Sequence, residues 1–520
     1  MNSRLVLLGF VLVAALGSYA ARQSTSLELE SHDHATPVSD SGGLTPRQLA
    51  EQYCQTCHVF PEPDILDKST WITNVFPTMR VAMGLDTMSA ENLSQLDPGV
   101  RHIYNRPPLM TEETWFAIAA YYIENAPTRL TPAQRPPIGP ETPLFDARPA
   151  PWRALTPLFT HVRLDPALHA IILGDASQNR LVVCGETGER RAFLPTQGPP
   201  SCVVVDKGSW YTTDMANLLP HDSAAGGLYR FTWNKDSTAK AEQLLDTLRR
   251  PVHLSICDLN GDGKKEFLIS EYGNLLGRLG YYEILPKGKH TYHLLLEQPG
   301  TIRTIVADLN HDGKQDVIAL TAQAREGILA FINKGKGKFE KRELLTFHPA
   351  YGSSYFNLID YNKDGNIDIV MTNGDNGDYK GPPYKPYHGV HIFLGDGALH
   401  FKESVFLPVN GAYGAVVQDF DLDGDLDVVS LAYFADFTLT PEEALMYWEH
   451  KPDDTFIPSR LAKFDAGRWL VFDANDFDGD GDVDIVVANT AYGPGNVPGP
   501  MQDAWVIAGV PFVYYRNTTR

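Results

Sequence analysis

The sequence contains no long run of lysine or arginine, no apolar stretch of the roughly 20 residues that a membrane-spanning helix requires, and only five cysteines in 520 residues. Without basic runs, and with a net charge of −20, the chain is unsuited to a polyanion, so nucleic acid is excluded as a partner and cations are favoured. No glycine-rich nucleotide fingerprint is present, and no acid/base constellation stands out. An odd number of cysteines cannot all pair within one chain. Charged residues make up 21% and hydrophobic residues 43%, which excludes a disordered chain and a many-span membrane protein alike. The length exceeds one ordinary core, so it implies either several domains or a large propeller or barrel.

What is present begins with a short apolar run. Arg4 precedes Leu5 to Leu16, and Gly17-Ser18-Tyr19-Ala20-Ala21 follows. A charged start, a short apolar middle and a small-residue end are the parts of a secretory signal spanning residues 1–22. Cleavage after Ala20 would leave no stable membrane span, and the mature protein is expected in the periplasm or secreted. Residues 23–44 lack periodicity and read as a flexible leader.

From Thr45 to Leu130 the pattern is helical. Thr45-Pro46-Arg47-Gln48 forms a capped start with proline at the first helical position, and it leads into Cys54-Gln55-Thr56-Cys57-His58. A second helix is expected from Thr111 to Asn125, with Trp115, Ile118, Ala119, Tyr122 and Ile123 on one stripe. Two cysteines three positions apart can form thioethers to the vinyl groups of one porphyrin, and the following histidine can reach the iron. A zinc site would need a second ligand pair at comparable spacing, and a redox dithiol would need a βαβ setting; neither is found around these residues. The cofactor expected is therefore one covalent haem c held by Cys54, Cys57 and His58. For the sixth ligand Met79 is favoured, because Pro77 can hold a loop extended over the distal face; Met110, Met83, Met88 and His102 compete.

Residues 131–156 are proline-dense and read as a semi-rigid linker. Beyond residue 157 the chain turns to short runs of Val, Ile, Tyr and Phe between Gly/Asp/Asn turns. An Asp-rich loop recurs five times, with starts at Asp258, Asp308, Asp360, Asp419 and Asp476, spaced by 50, 52, 59 and 57 residues. That period fits the four strands of one propeller blade. Two degenerate units fit upstream, around His169 to Leu194 and Cys202 to Thr247, which suggests seven blades.

Calcium takes six to eight hard oxygens, and loop positions 1, 3, 5 and 9 supply them. The sets are Asp258, Asn260, Asp262, Glu266; Asp308, Asn310, Asp312, Asp316; Asp360, Asn362, Asp364, Asp368; Asp419, Asp421, Asp423, Asp427; and Asp476, Asp478, Asp480, Asp484. Position 12, where an EF-hand carries Glu, is Ile269, Ala319, Met371, Ser430 and Val487, so these are strand-to-strand loops that hold up to five structural calcium ions. Cys184, Cys202 and Cys257 lie in strand-like runs. They read as buried small side chains, with a Cys184–Cys202 disulfide as the alternative.

Residues 45–130 resemble a small single-haem cytochrome c domain, in which the Cys-x-x-Cys-His ends the first helix and a terminal helix packs across it. Residues 157–520 resemble the FG-GAP/VCBS repeats of integrin-like propellers, and the combination resembles a group of exported bacterial fusions. The fold class this implies is multidomain, a small all-α domain followed by an all-β propeller. The function expected is single-electron transfer with a redox partner protein or a small-molecule donor, the propeller serving for docking, rather than a self-contained enzyme. Two alternatives stand beside it: a sugar or alcohol dehydrogenase propeller that feeds the haem, with His161, His253 and Arg303 lining a central funnel, and an adhesion module whose haem senses redox state or a gas.

Overall fold

The structure is a computed structural model that describes residues 43–233, 239–323, 325–379 and 384–520. The expected signal and most of the leader lie outside these residues. Seven antiparallel sheets form a seven-bladed β-propeller. Blades 1 to 6 occupy 159–195, 200–249, 251–296, 301–346, 353–408 and 412–460, and blade 7 draws on 469–517. The first strand of each blade packs against the first strands of its neighbours and so lines the central channel. The second strands of blades 3 to 7 are buried along their whole length. That placement suits their β-branched, apolar sequences, which have sheets stacked on both faces.

The segment expected to be a linker contributes two strands instead. Gly139–Glu141 runs parallel to Phe456–Arg460 at the edge of blade 6. Phe145–Pro149 pairs antiparallel with Phe512–Asn517 and becomes the outer strand of blade 7. The chain's early strand therefore latches the ring shut. Proline is tolerated there because an edge strand needs only half of its N–H groups.

A separate all-α cytochrome-like domain is not observed, which corrects the expected two-domain fold. The helices form only a short N-terminal region, and its apolar cluster, built on Leu49, Trp71, Trp115 and Tyr122, incorporates Ala350 and Tyr379 of the propeller. Tyr387 donates a hydrogen bond to the Ile65 carbonyl at 3.1 Å, and Arg135 pairs with the buried Glu443. The physical reason is shared burial. The helices complete their apolar cluster against Ala350 and Tyr379 of the propeller.

Within this region the expected helix ends hold. Pro46–Cys54 opens with a reciprocal Thr45/Gln48 capping box and proline in the first turn, and Glu112–Asn125 is capped by Thr111. The segment around Met79 differs: Pro77 opens the helix Phe76–Ala82 rather than extending a loop, directly after a π-helical turn at Trp71–Val75.

Candidate functional site

Three groups of residues carry chemistry. The first is the Cys-x-x-Cys-His segment, which unwinds from the end of the helix Pro46–Cys54. Cys54 and Cys57 are free thiols, Cys54 half-buried and Cys57 exposed. Burial pushes the Cys54 thiol up to about 11, so it is inert as a thiolate. His58 is half-buried, and its Nδ1 lies 2.9 Å from the Val59 carbonyl. With Nδ1 donating to a carbonyl, Nε2 holds the lone pair, as an iron-ligating imidazole requires. Desolvation lowers the pKa of His58 and favours this neutral form.

Met79 packs partly buried against the same apolar cluster as Cys54, while Met83 and Met110 are buried in it. Met88 is partly buried and His102 is exposed. Cys54 and the thioethers of Met79, Met83 and Met110 share that cluster; with Cys57 and the neutral imidazole of His58 next along the chain, the donor types are those a c-type haem takes.

The second group is the five Asp-rich loops, each joining the first strand of its blade to the second in blades 3 to 7. Position 1 accepts from the position-6 glycine in four of them: Asp258 from Gly263 at 2.9 Å, Asp308 from Gly313 at 2.8 Å, Asp360 from Gly365 at 3.1 Å and Asp419 from Gly424 at 3.2 Å. Position 3 accepts from the backbone of position 5, as Asn260 does from Asp262 at 2.8 Å. These bonds turn the side chains inward along one arc. Carboxylate oxygens of Asp258, Asp262 and Glu266, of Asp419, Asp421 and Asp423, and of Asp476, Asp478 and Asp480 lie within 4.8 Å of one another. In the second and third loops Asn310 and Asn362 stand at position 3, and their amides donate to Asp312 and Asp364. Lys314 also pairs with Asp312 at 2.9 Å, and Arg516 reaches Asp478 and Asp480 at 2.5 and 2.9 Å.

Position 9 does more than its spacing suggests. Asp316, Asp368, Asp427 and Asp484 are fully buried at the start of a second strand. One oxygen of each accepts from the backbone of position 2 (Leu309, Tyr361, Phe420 and Phe477) and the other from the end of the third strand (Asn333, Gly395, His450 and Asn517). Tyr447 and Tyr514 add hydroxyl donors at 2.8 Å to Asp427 and Asp484. Burial raises Asp427 to about 7 and Asp484 to about 6. Position 4 is left-handed in every copy, at Gly261, His311, Lys363, Leu422 and Gly479, so three residues that are not glycine adopt this conformation. Cys184, Cys202 and Cys257 are buried and unpaired, the first two in different apolar clusters.

The third group lines the channel. His161, His253 and Arg303 all stand on first strands and meet there with Asp473 and Tyr355. Arg303 lies 4.5 Å from the Tyr355 ring, His253 Nδ1 is 3.1 Å from Thr304 Oγ1, and Asp473 accepts from the Leu164 backbone at 2.8 Å. Desolvation, reinforced by the positive charge of Arg163, holds His161 down to about 3; His253, beside Arg303, is held to about the same value. Burial raises Asp473 to about 6.

Residues 308–371, covering the second and third Asp-rich loops, match the family described as FG-GAP-like repeat. No curated protein matches the chain. Similar solved structures include the N-terminal domain of Nup159, at 11% identity over 74% of this chain and 99% of that one with a TM-score of 0.40. A streptogramin B lyase is similar at 11% identity, 72% and 98% coverage and a TM-score of 0.44. A putative 6-phosphogluconolactonase from Bacteroides fragilis NCTC 9343 is similar at 13% identity, 58% and 85% coverage and a TM-score of 0.39.

Proposed function

We propose that this chain is an exported electron-transfer protein that carries one covalent haem c on Cys54, Cys57 and His58, with a calcium-stiffened FG-GAP propeller as its docking scaffold. The observation that carries this reading is the His58 ring, whose Nδ1 is engaged by Val59 beside two free thiols at a helix end. Bound there, the haem would supply one-electron redox chemistry; Cys54 and Cys57 would anchor it and His58 would ligate its iron. Trp71, Phe76, Trp115 and Tyr122 pack in one apolar cluster with Cys54, and an apolar surrounding of that kind would tune the potential of a haem held there. Met79, on the helix Phe76–Ala82, is the favoured thioether that would bind the iron.

The five loops are read as structural calcium sites. Their carboxylates fall in a common phase, and backbone N–H groups already orient them. They sit in strand-to-strand turns away from the channel, so a structural role is the one proposed for them. The expected partner is a redox protein or a small electron donor in the periplasm.

Expression with and without cytochrome maturation tests the reading. Protein exported with maturation is expected to be coloured and to gain one porphyrin mass, and Cys54→Ala/Cys57→Ala is expected to gain none. Colourless wild-type protein of unmodified mass would overturn it.

A further inference from the structure

Two buried asparagines join neighbouring Asp-rich loops, numbered here 1 to 5 in chain order. Asn333 closes the third strand of blade 4 and Asn517 the third strand of blade 7, and they are 3% and 0% exposed. The Asn333 N–H donates to Asp316, position 9 of loop 2, at 2.7 Å. Its Oδ1 accepts from the Gly335 N–H at 2.8 Å, which turns Nδ2 inward. That nitrogen donates to two carbonyls: Gln315, just before Asp316, at 3.0 Å, and Leu259, position 2 of loop 1 on the preceding blade, at 2.9 Å. Leu259 in turn donates its N–H to Glu266, position 9 of loop 1, at 2.7 Å, and its carbonyl adjoins Asn260 at position 3. An unbroken path runs from Glu266 through Leu259 and Asn333 to Asp316.

Blades 6 and 7 repeat the arrangement. The Asn517 N–H donates to Asp484 of loop 5 at 2.8 Å, and its Oδ1 accepts from the Thr519 N–H at 3.1 Å. Nδ2 donates to the Val483 carbonyl at 3.4 Å and to Phe420, position 2 of loop 4, at 2.8 Å. Phe420 donates to Asp427, position 9 of loop 4, at 3.3 Å. The junctions on either side of loop 3 are built differently. Gly395 and His450 stand where the asparagines do, their N–H groups reaching Asp368 and Asp427. Gly395 has no side chain to extend, and the His450 ring stacks on Phe456 at 4.5 Å with its nitrogens turned toward Asp425 and Asp454. Loop 3 meets loop 4 through Lys363, whose Nζ donates to the Gly424 carbonyl at 2.6 Å, but that side chain is exposed and its bond competes with water.

A buried amide shared between two carbonyls is costly to leave unmade, so a shift in one loop is passed to the next rather than absorbed at the junction. We infer that Asn333 and Asn517 are positioning residues that couple neighbouring calcium loops: loops 1 and 2 bind calcium as one cooperative pair, loops 4 and 5 as another, and loop 3 alone. The inference rests on the calcium reading of the loops and is independent of the haem.

Hydrogen exchange of the full chain, followed by mass spectrometry across a series of buffered free-calcium concentrations, reads each loop separately. Asp262→Asn disables loop 1 through an exposed side chain. The calcium midpoint for protection of residues 308–316 is then expected to rise about fivefold or more, while that for 360–368 keeps its wild-type value. Linkage requires the reverse as well, so Asp312→Asn should shift 258–266 by the same factor. In an Asn333→Ala background the shift caused by Asp262→Asn should vanish. Should Asn333→Ala melt early, loops 4 and 5 answer without it: Asp423→Asn is expected to shift 476–484, and Asp364→Asn to shift neither of its neighbours. Unmoved midpoints in the partner loops, or an equal shift of every loop by any one variant, would overturn the coupling alone. Wild-type exchange that ignores calcium altogether would overturn the calcium reading and the coupling together, so the two failures are told apart.

Discussion

Tyr387 donates from its hydroxyl to the carbonyl of Ile65, joining blade 5 to the helical region across a long stretch of sequence. The same hydroxyl lies 3.2 Å from the Ala350 carbonyl, so one phenol ties the two parts at their shared apolar cluster. Tyr387→Phe removes both bonds and leaves the ring in place. Loss of about 1 kcal/mol is expected, read as roughly fivefold faster amide exchange around residues 60–85, with the blades unchanged. Equal exchange in variant and wild type would show that apolar packing alone holds the helices.

The haem reading makes a sharper demand on Met79 than on its neighbours. In matured protein Met79→Ala is expected to convert a low-spin spectrum to a high-spin one and to lower the reduction potential, because a thioether favours the ferrous state. Met83→Ala and Met110→Ala, which lose buried packing, are expected to lower the melting temperature and keep the spectrum. A spectral change in Met110→Ala alone would transfer the ligand role to it.

Calcium removal is expected to loosen the propeller. Each saturated site adds about 2.7 kcal/mol at a hundredfold excess over its dissociation constant, so chelation should lower the melting temperature markedly. Asp423→Asn, within the three-carboxylate set of the fourth loop, should reduce bound calcium by one equivalent. The count by atomic absorption decides it, and an unchanged stoichiometry would remove that loop from the set.

Position 9 should behave as a brace with or without metal. Asp484 accepts from Phe477, Tyr514 and Asn517 while fully buried. Asp484→Ala strands these donors and is expected to cost about 3 kcal/mol or more in chelator-treated protein, measured by urea unfolding. A loss that appears only with calcium present would make Asp484 a ligand and little else.

The channel histidines set an acid limit. His161 and His253, held to about 3 in the folded protein by burial, take up protons on unfolding below the ordinary histidine value. Stability is therefore complete above about pH 6.5 and falls as pH drops toward 3, by up to about 1.4 kcal/mol per pH unit for each histidine. His161→Asn/His253→Asn should flatten the melting temperature between pH 6.5 and 4.5. An unchanged slope would assign acid lability elsewhere.

Much of the propeller was legible because its signals are local and repeated. The five Asp-rich loops share one phase, and position 12 lies inside a strand in each. The left-handed position 4 was not legible, since His311, Lys363 and Leu422 carry no glycine signal. Phe145–Pro149 was hidden by the prolines in and around it, which argue for a linker until an edge strand is there to receive them. The merging of helices and propeller was equally hidden, because Ala350, Tyr379 and Tyr387 lie far along the chain from the helices they touch.

Pairing Phe145–Pro149 with Phe512–Asn517 also sets an order of assembly. On the ribosome the early strand emerges with nothing to join, and its partner appears only when translation is nearly finished. Until then six sheets stand in an open arc with two raw edges. Completion is consequently a single late event, and a truncation of even the last dozen residues should leave an open, aggregation-prone crescent instead of a slightly weakened toroid.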